Sequence, residues 1–463
     1  MPNPKYAPEE PICAIATALA PAALGIIRCS GKDCIQLLSK CFSRPKALME
    51  APGNTLVYGW IKNGDAKIDE VMVSVYRGKK SFTGEEMVEI SCHGGPSVVM
   101  AIHNLLLNNG FRQAERGEFT FRAFINGKAD LTKAEAVQEI IESRTGESRS
   151  RAAGRLAGNL FEEIDSIKKL ITDTLAAIEV EIEYPEDEET IADSFDHKDL
   201  EQAVVRLQQL NDSWQGEKLY QDGARIVLCG RTNAGKSSLF NAILKEDRAI
   251  VSDIEGTTRD WIESWVDFDG LPVRLFDTAG LRETDDIIEA HGVELTKNLS
   301  EDADIVLYLC DSRYGLSEDD VEFLKTVCKP VIFAWNKVDL AEKEPVLAEE
   351  ELASLSSIRK EIKISAKKGN GFSQLYSAVK EVLLDSVSTE RPQAGLGSAR
   401  QKKAVEEALE CVRHALVVAG EDYALDAVVQ DLEDSLNCLG EVTGEVTADD
   451  VLESIFSRFC VGK

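Results

Sequence analysis

The chain has 463 residues, of which 44% are hydrophobic and 29% charged, so we expect a soluble globular protein of about three domains. No run approaches the roughly 18 consecutive apolar residues that span a bilayer, and residues 1–10 lack the basic and apolar stretches of a secretory signal, which predicts a cytoplasmic protein with no membrane segment. The formal charge of −29 opposes unaided binding of a phosphate backbone, and the eleven cysteines form no C-x-x-C pair of a zinc or redox site.

The first predicted domain covers residues 1–128. Within it, short apolar runs at 23–27, 71–76 and 87–90 alternate with turns that contain Gly and Asn. Apolar runs of this length between turn residues are typical of strands. We therefore expect an N-terminal domain of mixed α/β structure.

Two helical segments flank the middle of the chain. Residues 129–220 carry apolar side chains at helical intervals, interrupted at 181–196 by an acidic stretch that contains Pro185 and that we interpret as a solvated loop. The segment 386–463 is helical again and ends in the tail Cys-Val-Gly-Lys. We expect the two segments to form one discontinuous all-α domain, with the nucleotide domain described next inserted into it.

Residues 221–385 repeat strand, glycine loop and helix, which is the pattern of a doubly wound α/β sheet. The apolar strand 224–229 leads into residues 230–237 (GRTNAGKS), which match the P-loop pattern G-x-x-x-x-G-K-S and precede an apolar helix. In such a loop, backbone N–H groups and the helix N-terminus face the phosphates of a nucleotide. The alternative for these residues is a glycine-rich turn that binds nothing.

Two polar residues of the P-loop, Lys236 and Ser237, have expected roles. Lys236 would reach the β- and γ-phosphates, and the Ser237 hydroxyl would bind Mg²⁺. The GTP-binding residues predicted here are Gly230, Asn233, Ala234, Gly235, Lys236, Ser237 and Ser238.

Two further motifs predict the rest of the magnesium site. A strand at 273–276 leads into residues 277–280 (DTAG), where Asp277 would bind Mg²⁺ through water and the Gly280 amide would face the γ-phosphate. The motif 256–260 (GTTRD) lies between this strand and the P-loop, and it places Thr258 as a Mg²⁺ ligand. The nucleotide contacts predicted in the two motifs are Thr258, Asp277, Thr278, Ala279 and Gly280.

A second pair of motifs predicts guanine specificity. A strand ends at residues 336–339 (NKVD), where the Asp339 carboxylate can accept hydrogen bonds from both N1–H and the 2-amino group of guanine. Adenine offers neither donor and would leave that carboxylate unpaired. Residues 365–367 (SAK) supply the loop that closes over the base. The residues predicted to contact the base are Asn336, Lys337, Asp339, Ser365, Ala366 and Lys367.

The residue after the DTAG motif is Leu281, where signalling GTPases carry the glutamine that orients the attacking water. Hydrolysis must therefore be arranged by another group. Carboxylates follow at Glu283, Asp285, Asp286 and Glu289, and their spacing alone does not choose among them. A solvated acidic loop is the simpler interpretation for most of these carboxylates.

A distinctive set of short motifs lies along the whole chain. In the nucleotide domain and at the C-terminus they are 230–233 (GRTN), 256–260 (GTTRD), 277–282 (DTAGLR) and 459–463 (FCVGK). In the first domain they are 25–28 (GIIR), 81–85 (SFTGE), 93–96 (HGGP), 117–119 (GEF) and 123–124 (AF). Together these motifs resemble the tRNA modification GTPase family called MnmE or TrmE, over essentially all of the sequence.

The resemblance implies roles for residues that the motifs alone leave open. Glu289 would be the catalytic residue that orients water. Asn233 would help to bind a K⁺ ion beside the phosphates, and a monovalent cation there could offset charge that develops between the β- and γ-phosphates. The K⁺ ligands implied are Asn233, Ser252, Ile254 and Thr257. Asn233 could instead only form a turn.

The family also implies that the first domain binds a one-carbon folate, 5-formyl- or methylene-tetrahydrofolate. The matching residues are Arg28, Glu89, Lys128 and Lys463. A carboxylate such as Glu89 could read the amino-pyrimidinone edge of a pterin, while the cations could meet the glutamate tail. Without the resemblance, Arg28 and Lys128 would be ordinary surface charges.

Cys460 has three interpretations. The terminal C-V-G-K poorly fits the preferences of prenylated C-a-a-X tails. Catalytic thiol chemistry would need a neighbour that favours the thiolate, and no His is near in sequence. We favour a structural role for the tail at the folate pocket.

The partners implied are tRNA, a second copy of the chain in a homodimer, and an FAD-bearing protein called MnmG or GidA that would supply the flavin chemistry. The expected function is a K⁺- and Mg²⁺-dependent GTPase that modifies the C5 position of the wobble uridine of certain tRNAs, with GTP hydrolysis driving a conformational cycle.

Arg144, Arg151 and Arg155 could contact tRNA or a partner, or form a solvated face. A regulatory ribosome-assembly or RNA-binding GTPase is the rival function, and a polymerising GTPase is disfavoured because the helical segments show no repeat.

Overall fold

The computed structural model of the chain describes residues 10–183, 197–248, 250, 262–277, 302–342, 344–348, 354–385, 394–420 and 425–463. By their contacts the residues divide into two compact units. The first unit comprises residues 1–138, 156–200 and 407–463, and the second comprises 139–155 and 201–406. Throughout the described ranges, every helix is too short or too polar to cross a membrane.

The strands of the two units are numbered here in chain order. They are β1 (Ile12–Ile15), β2 (Leu24–Ser30), β3 (Thr55–Asn63), β4 (Ala66–Tyr76), β5 (Met87–His93), β6 (Arg112–Gln113), β7 (Ala224–Cys229), β8 (Ile262–Phe268), β9 (Leu271–Asp277), β10 (Ile305–Asp311), β11 (Val331–Asn336) and β12 (Ile358–Lys363).

The α-helices are numbered in the same way. They are α1 (Cys34–Ser39), α2 (Pro45–Glu50), α3 (Pro96–Asn108), α4 (Glu118–Ile125), α5 (Leu131–Glu142), α6 (Gly146–Ala157), α7 (Asn159–Glu183), α8 (His197–Asp222), α9 (Lys236–Ile243), α10 (Glu318–Thr326), α11 (Phe372–Leu384), α12 (Ala399–Gly420), α13 (Leu425–Thr443) and α14 (Asp449–Phe456).

The first unit contains a sheet with strand order β3-β4-β5-β2-β1-β6, in which β1 and β6 are parallel and the other pairs antiparallel. One face of the sheet is apolar, because alternate residues of each strand point to the same side. Val73, Ile90 and Ile27 on that face are fully buried, and they pack with buried residues of α1, α2 and α3. The three apolar runs of the first domain thus correspond to β2, β4 and β5.

The opposite face of this sheet is more polar and more exposed. Cross-strand pairing places Leu56, Ser74, Glu89 and Arg28 in one row. The next row along the strands contains Tyr58, Met72, Ser91 and Ile26. Residues paired across strands share a face, so the apolar side chains of β3 and β4 continue directly into the Arg28–Glu89 pair.

The second unit contains a sheet with strand order β12-β11-β10-β7-β9-β8, parallel except for the edge strand β8. Both faces are covered. Leu228, Leu275 and Ile332 pack on one face with α9 and α11, while Val227 and Phe333 pack on the other face with Leu324 of α10. Strands buried on both sides give continuous apolar runs, and this sheet confirms the doubly wound α/β fold predicted from the sequence.

The helical residues of the first unit are held by aromatic and aliphatic contacts. Phe121 of α4 meets Phe456 of α14 edge-to-face, with ring centroids 5.4 Å apart. Phe456 also packs against Phe459, with centroids 5.6 Å apart. The two phenylalanines at the C-terminal end thereby fix the start of the terminal tail beside α4.

Two arginines of α6, Arg151 and Arg155, have partners inside the second unit. Arg155 is 3% exposed, and it forms ion pairs with Glu139 at 2.6 Å and with Glu217 of α8 at 2.8 Å. Arg151 pairs with Glu217 and with Glu147. Breaking a buried ion pair leaves an uncompensated charge, so these pairs are structural. A solvated face or a tRNA-binding surface is therefore the wrong interpretation for Arg151 and Arg155.

Arg144 also has a partner within the second unit. Its guanidinium lies 4.0 Å from the centroid of the Trp265 ring on β8. Burial, the largest cause, lowers the pKa of Arg144, and Arg274 acts in the same direction. The next residue, Thr145, donates a hydrogen bond of 2.7 Å from its hydroxyl to the Gly270 carbonyl in the β8–β9 turn. Arg144 is therefore a packing residue of the nucleotide unit rather than part of a solvated arginine face.

Candidate functional site

The P-loop follows β7 and ends where α9 begins. Gly230 has φ +131°, and a Cβ there would lie 2.2 Å from the Leu309 carbonyl oxygen. Gly235 has φ +103°, and a Cβ there would lie 2.2 Å from the Asn336 amide nitrogen. Only glycine fits these two positions, because both the backbone conformation and the space exclude a side chain. The loop thus packs tightly at both ends, against Leu309 of β10 and against Asn336 of the NKVD motif (residues 336–339), which is called the guanine motif below.

The charged and hydroxyl residues of the P-loop lie at the start of α9. Lys236 is 9% exposed, and its Nζ donates to the carbonyls of Gly230 at 2.7 Å and Arg231 at 3.0 Å. Ser237 and Ser238 follow on the first turn and are exposed. A lysine bent back over its own loop stands where phosphate oxygens approach in P-loop proteins. Lys236 therefore lies over the loop, and its contact with the phosphates stays a prediction.

The predicted Mg²⁺ ligands come from neighbouring strands. Asp277 ends β9 and is 2% exposed, and its Cα pairs with Leu228 of β7, just before the P-loop. The carboxyl ends of adjacent parallel strands meet at one edge of the sheet. The Asp277 carboxylate therefore lies at the same edge as Ser237, and both groups offer the oxygen ligands that Mg²⁺ prefers.

Asn336 connects the P-loop to both guanine loops. Its Nδ2 donates to the Ala234 carbonyl at 2.8 Å, and its Oδ1 accepts from the amides of Lys337 at 2.8 Å and Ala366 at 3.0 Å. The side chain is 1% exposed. A buried amide with these partners satisfied fixes three loop segments relative to one another. The structural role of Asn336 is therefore to align the base-binding residues with the phosphate loop.

The Asp339 carboxylate, which is predicted to read the base, is oriented by the loop 365–367. Asp339 Oδ1 accepts a 2.7 Å hydrogen bond from the Ser365 hydroxyl, and Lys368 Nζ lies 3.6 Å from Oδ2. The Ser365 hydrogen bond is the largest cause that lowers the pKa of Asp339, and Lys368 adds to it. Asp339 is thus held ionised, the form that accepts hydrogen bonds from guanine. Lys367 is exposed next to this loop.

Some predicted site residues lie outside the described residues. They are Ser252, Ile254, Thr257, Thr258, Thr278, Ala279, Gly280, Leu281 and Glu289.

The first unit brings three of the four predicted folate residues together. Arg28 Nε donates to Glu89 Oε1 at 2.9 Å, and Arg28 Nη1 donates to the Gly462 carbonyl at 3.1 Å. The Arg28 guanidinium lies 5.6 Å from the ring centroid of Phe82 and 5.7 Å from that of Phe119. A guanidinium between two rings, with a carboxylate and a carbonyl, has a fixed position.

The C-terminal tail closes this group of residues. The Lys463 carbonyl accepts a 3.2 Å hydrogen bond from the Phe119 amide, and Val461 forms a β-bridge with Arg116. Burial is the largest cause that lowers the pKa of Lys463, and nearby Arg28 acts in the same direction. Cys460 is exposed at the start of the tail. The tail therefore belongs to the Arg28 site through its backbone, which agrees with a structural role.

Lys128 is placed differently from the other folate candidates. Its Nζ donates to the Lys79 carbonyl at 2.8 Å, and its stem passes Gly84, where a Cβ would lie 3.3 Å from Lys128 Cγ. The contacts described for Lys128 are thus with the segment around the 81–85 loop, not with Arg28 or Glu89. Lys128 flanks the loop that carries Phe82.

The sequence analysis gave no role to some residues that contact the predicted site residues. In the first unit, Phe82 and Phe119 lie within motifs that carried the family resemblance, but no role followed from them. In the second unit, Asp311 ends β10 and contacts Lys337. The sequence did contain a signal for Asp311, because it is a carboxylate at the end of an apolar strand. The carboxyl ends of parallel strands line nucleotide sites, so such a residue is a candidate for one.

Known proteins match this chain over nearly its whole length. A family model described as the MnmE helical domain matches residues 131–460, and a model described as the GTP-binding protein TrmE N-terminus matches residues 11–128. A tRNA modification GTPase MnmE of Treponema denticola is 52% identical over 468 residues, which cover 99% of each chain. The protein of the same name from Treponema pallidum is 41% identical over 492 residues, again 99% of each chain.

Solved structures of other proteins overlap part of the chain. Aquifex aeolicus Era is 26% identical and covers 41% of this chain and 66% of its own, with a TM-score of 0.28. The G domain of T. maritima FeoB is 26% identical and covers 34% of this chain and 98% of its own, with a TM-score of 0.26. The assignment rests instead on the sequence matches that span the whole length, and by these the chain is a GTP hydrolase of tRNA modification that belongs to the MnmE (TrmE) family.

Proposed function

We propose that this GTPase works with an FAD-containing protein of the MnmG (GidA) type to modify the C5 position of the wobble uridine in certain tRNAs. The added carbon would come from 5-formyl- or methylene-tetrahydrofolate bound in the first unit. GTP hydrolysis, dependent on Mg²⁺ and K⁺, would drive a conformational cycle. The observation that carries the proposal is the convergence of Arg28, Glu89 and the C-terminal tail on one face of the first sheet.

The residues at the Arg28 site fit a reduced folate. Glu89 is held with one oxygen toward Arg28, and the Tyr76 hydroxyl lies 3.4 Å from the other oxygen. An oriented carboxylate can pair with the amino-pyrimidinone edge of a pterin, and Phe82, which is 40% exposed, offers flat apolar surface beside Arg28. Arg28 and Lys463 supply positive charge for the glutamate tail. When bound, the folate would supply the one-carbon unit.

The first testable outcome concerns this folate site. We expect the full chain, without any partner, to bind 5-formyltetrahydrofolate with measurable heat in calorimetry, and Glu89→Gln to weaken binding by about tenfold or more, because the amide replaces an acceptor with a donor. The exposed Asp65→Asn on the β3–β4 turn is the matched control and should bind normally. No heat at ligand concentrations well above micromolar would refute the site.

The metal ligands in the second unit also fit their proposed ions. Ser237 and Asp277 offer hydroxyl and carboxylate oxygens, which suit Mg²⁺, and Thr258 is the third proposed ligand. Asn233 has φ +63° at the exposed tip of the P-loop, and its backbone carbonyl accepts from Lys337 Nζ at 2.6 Å. The Asn233 side-chain oxygen is thus the group proposed for K⁺, with Ser252, Ile254 and Thr257. The ions would supply positive charge beside the phosphates.

A homodimer is supported by the exposed face of the first sheet. Leu56 is 64% exposed, Tyr58 46% and Met72 38%, and the cross-strand rows place them beside the Arg28–Glu89 pair. An apolar patch of this kind on a sheet marks an interaction surface. We propose that a second copy of the chain covers it, in addition to a K⁺-dependent pairing of nucleotide domains.

The second testable outcome concerns K⁺. Closing residues 252–258 over the ion costs conformational entropy, on the order of 1 kcal/mol per residue, and a facing copy of the nucleotide domain could offset that cost. We therefore expect GTP turnover to be about tenfold faster in KCl than in NaCl. K⁺ and pairing of the nucleotide domains should strengthen each other by the same factor.

The measurement is turnover, with sedimentation in GDP and aluminium fluoride, for the native chain and for Asn233→Ala in both salts. The variant should lose both the preference for K⁺ and the K⁺-specific association. Its turnover rate in NaCl is the control for its turnover rate in KCl. Equal rates and equal sedimentation of the native chain in the two salts would contradict the mechanism.

A further inference from the structure

Asp311 has no role in the site as described so far. It is the last residue of β10, and its Cα pairs with Asn336 at the end of β11. The Ser312 amide donates to the Asn336 carbonyl at 3.0 Å, so the two strand ends stay in register beyond the sheet. The Asp311 side chain is 11% exposed. The parallel pairing therefore delivers a nearly buried carboxylate to the edge of the sheet that carries the guanine motif.

The Asp311 carboxylate contacts Lys337 of the guanine motif. Lys337 Nζ donates to Asp311 Oδ2 at 2.8 Å and to the Asn233 carbonyl of the P-loop at 2.6 Å. One ammonium group thus joins the end of β10 to the phosphate loop. Both contacts use the charged ammonium group, and the one to Asp311 is in addition an ion pair, so the carboxylate restrains Lys337 together with the Asn233 carbonyl.

Arg313 also holds the Asp311 carboxylate. Its Nε donates to Asp311 Oδ1 at 3.0 Å and its Nη2 to Oδ2 at 2.8 Å, a paired arrangement that fixes the plane of the carboxylate. Its backbone amide donates to Oδ1 at 3.1 Å. Arg313 is the largest cause that holds the pKa of Asp311 well below its usual range, and Lys337 adds to the effect. Asp311 is therefore an oriented, ionised acceptor.

Lys337 needs such a restraint. Its backbone is in the left-handed region at φ +63°, which is strained for a residue with a side chain, and its amide donates to Asn336 Oδ1. Its side chain is a flexible four-carbon stem whose rotamers would otherwise be ordered only when a nucleotide binds. The stem passes Gly235, where a Cβ would lie 3.9 Å from Lys337 Cε. The stem therefore spans the gap between the guanine motif and the P-loop.

We propose that Asp311 is a positioning residue for guanine-nucleotide binding, which acts by holding Lys337 stretched from the guanine motif to the Asn233 carbonyl of the P-loop. The nucleotide then meets a lysine whose conformation is already set, so less entropy is lost on binding. Arg313 in turn orients Asp311. The proposal rests on the GTPase activity alone and is independent of the folate and the tRNA partner.

The test is a double-mutant cycle between Asp311 and Lys337 in the full chain. We expect Asp311→Ala to weaken binding of a fluorescent GDP analogue by about tenfold, the effect of losing one charge-assisted hydrogen bond. The isosteric Asp311→Asn, which keeps an acceptor but not the charge, should show a smaller loss. Once Lys337 is replaced in Lys337→Met, removing Asp311 should change the affinity no further, because Asp311 acts through Lys337.

Three measurements distinguish positioning from a general structural effect. The kcat at saturating GTP should be retained in Asp311→Asn, while KM rises. Nucleotide-free Asp311→Asn should keep the far-UV circular dichroism spectrum of the native chain, which shows a retained fold, and the exposed Asp319→Asn on α10 should leave the affinity unchanged. Unchanged GDP affinity in Asp311→Ala, or an equal loss in the Lys337→Met background, would overturn the proposal.

Discussion

Asp339→Asn is expected to reverse the nucleotide preference of this GTPase. In the structure the Ser365 hydroxyl donates to Asp339 Oδ1, and an asparagine can keep that hydrogen bond with its own oxygen. Its amide nitrogen then takes the place of Oδ2 and presents donors where guanine needs an acceptor. We expect GTP affinity to fall by roughly 10³-fold, because buried groups of the base and the protein are left unpaired.

The same change should favour xanthosine triphosphate, whose 2-oxo group accepts the hydrogen bond that the new amide offers. The measurement is competition of GTP and xanthosine triphosphate for a fluorescent nucleotide, in the variant and in the native chain. The control for the loss of charge is Asp319→Asn, which replaces an exposed carboxylate of the same unit with a carboxamide. If GTP affinity stays unchanged, Asp339 does not read the base.

Glu289→Ala is expected to lower GTP turnover by about 10²-fold while GTP binding is retained, which is the loss typical of a group that orients water only in the transition state. The prediction comes from the sequence. Leu281 cannot orient water, so another group must do so, and the family resemblance selects Glu289 from the carboxylates that follow the DTAG motif.

The matched control is Glu283→Ala, which removes a carboxylate from the same stretch of sequence. Single-turnover hydrolysis and equilibrium binding of GTP should be measured for both variants at saturating K⁺ and Mg²⁺. A slow Glu289→Ala beside a normal Glu283→Ala supports the assignment. A normal rate in Glu289→Ala would instead favour the alternative interpretation, in which Glu289 is a solvated residue of an acidic loop.

Asn336 shows how one side chain can set the geometry of the nucleotide site. It holds the Ala234 carbonyl and the Ala366 amide at once, although these residues belong to loops far apart in sequence. With Lys337 joined to Asn233 and Asp311, the phosphate loop and the base loops form one hydrogen-bonded set. Such networks are rigid when every member is satisfied, which favours a site formed before the nucleotide arrives.

The class of the nucleotide site could be predicted from the amino-acid sequence alone. A P-loop is recognisable because its function resides in a short continuous segment, where glycine spacing and a following helix fix the local geometry. The doubly wound sheet was predictable for a related reason, since strands buried on both faces are continuous apolar runs. The order of the motifs predicted that Lys236, Asp277 and Asn336 belong to one site. In the structure, the carboxyl ends of β7, β9 and β11 lie at one edge of the second sheet.

Which distant residues meet, and which charges are buried, could be learned only from the folded chain. Arg28 and Gly462 are separated by 434 positions and still share a hydrogen bond, a contact that no local pattern encodes. Arg155 has the spacing of a surface arginine, yet Glu139 and Glu217 enclose it. Asp311 became part of the site only through the pairing of β10 with β11. Sequence periodicity reports the face of one element, whereas partners across elements depend on how those elements pack.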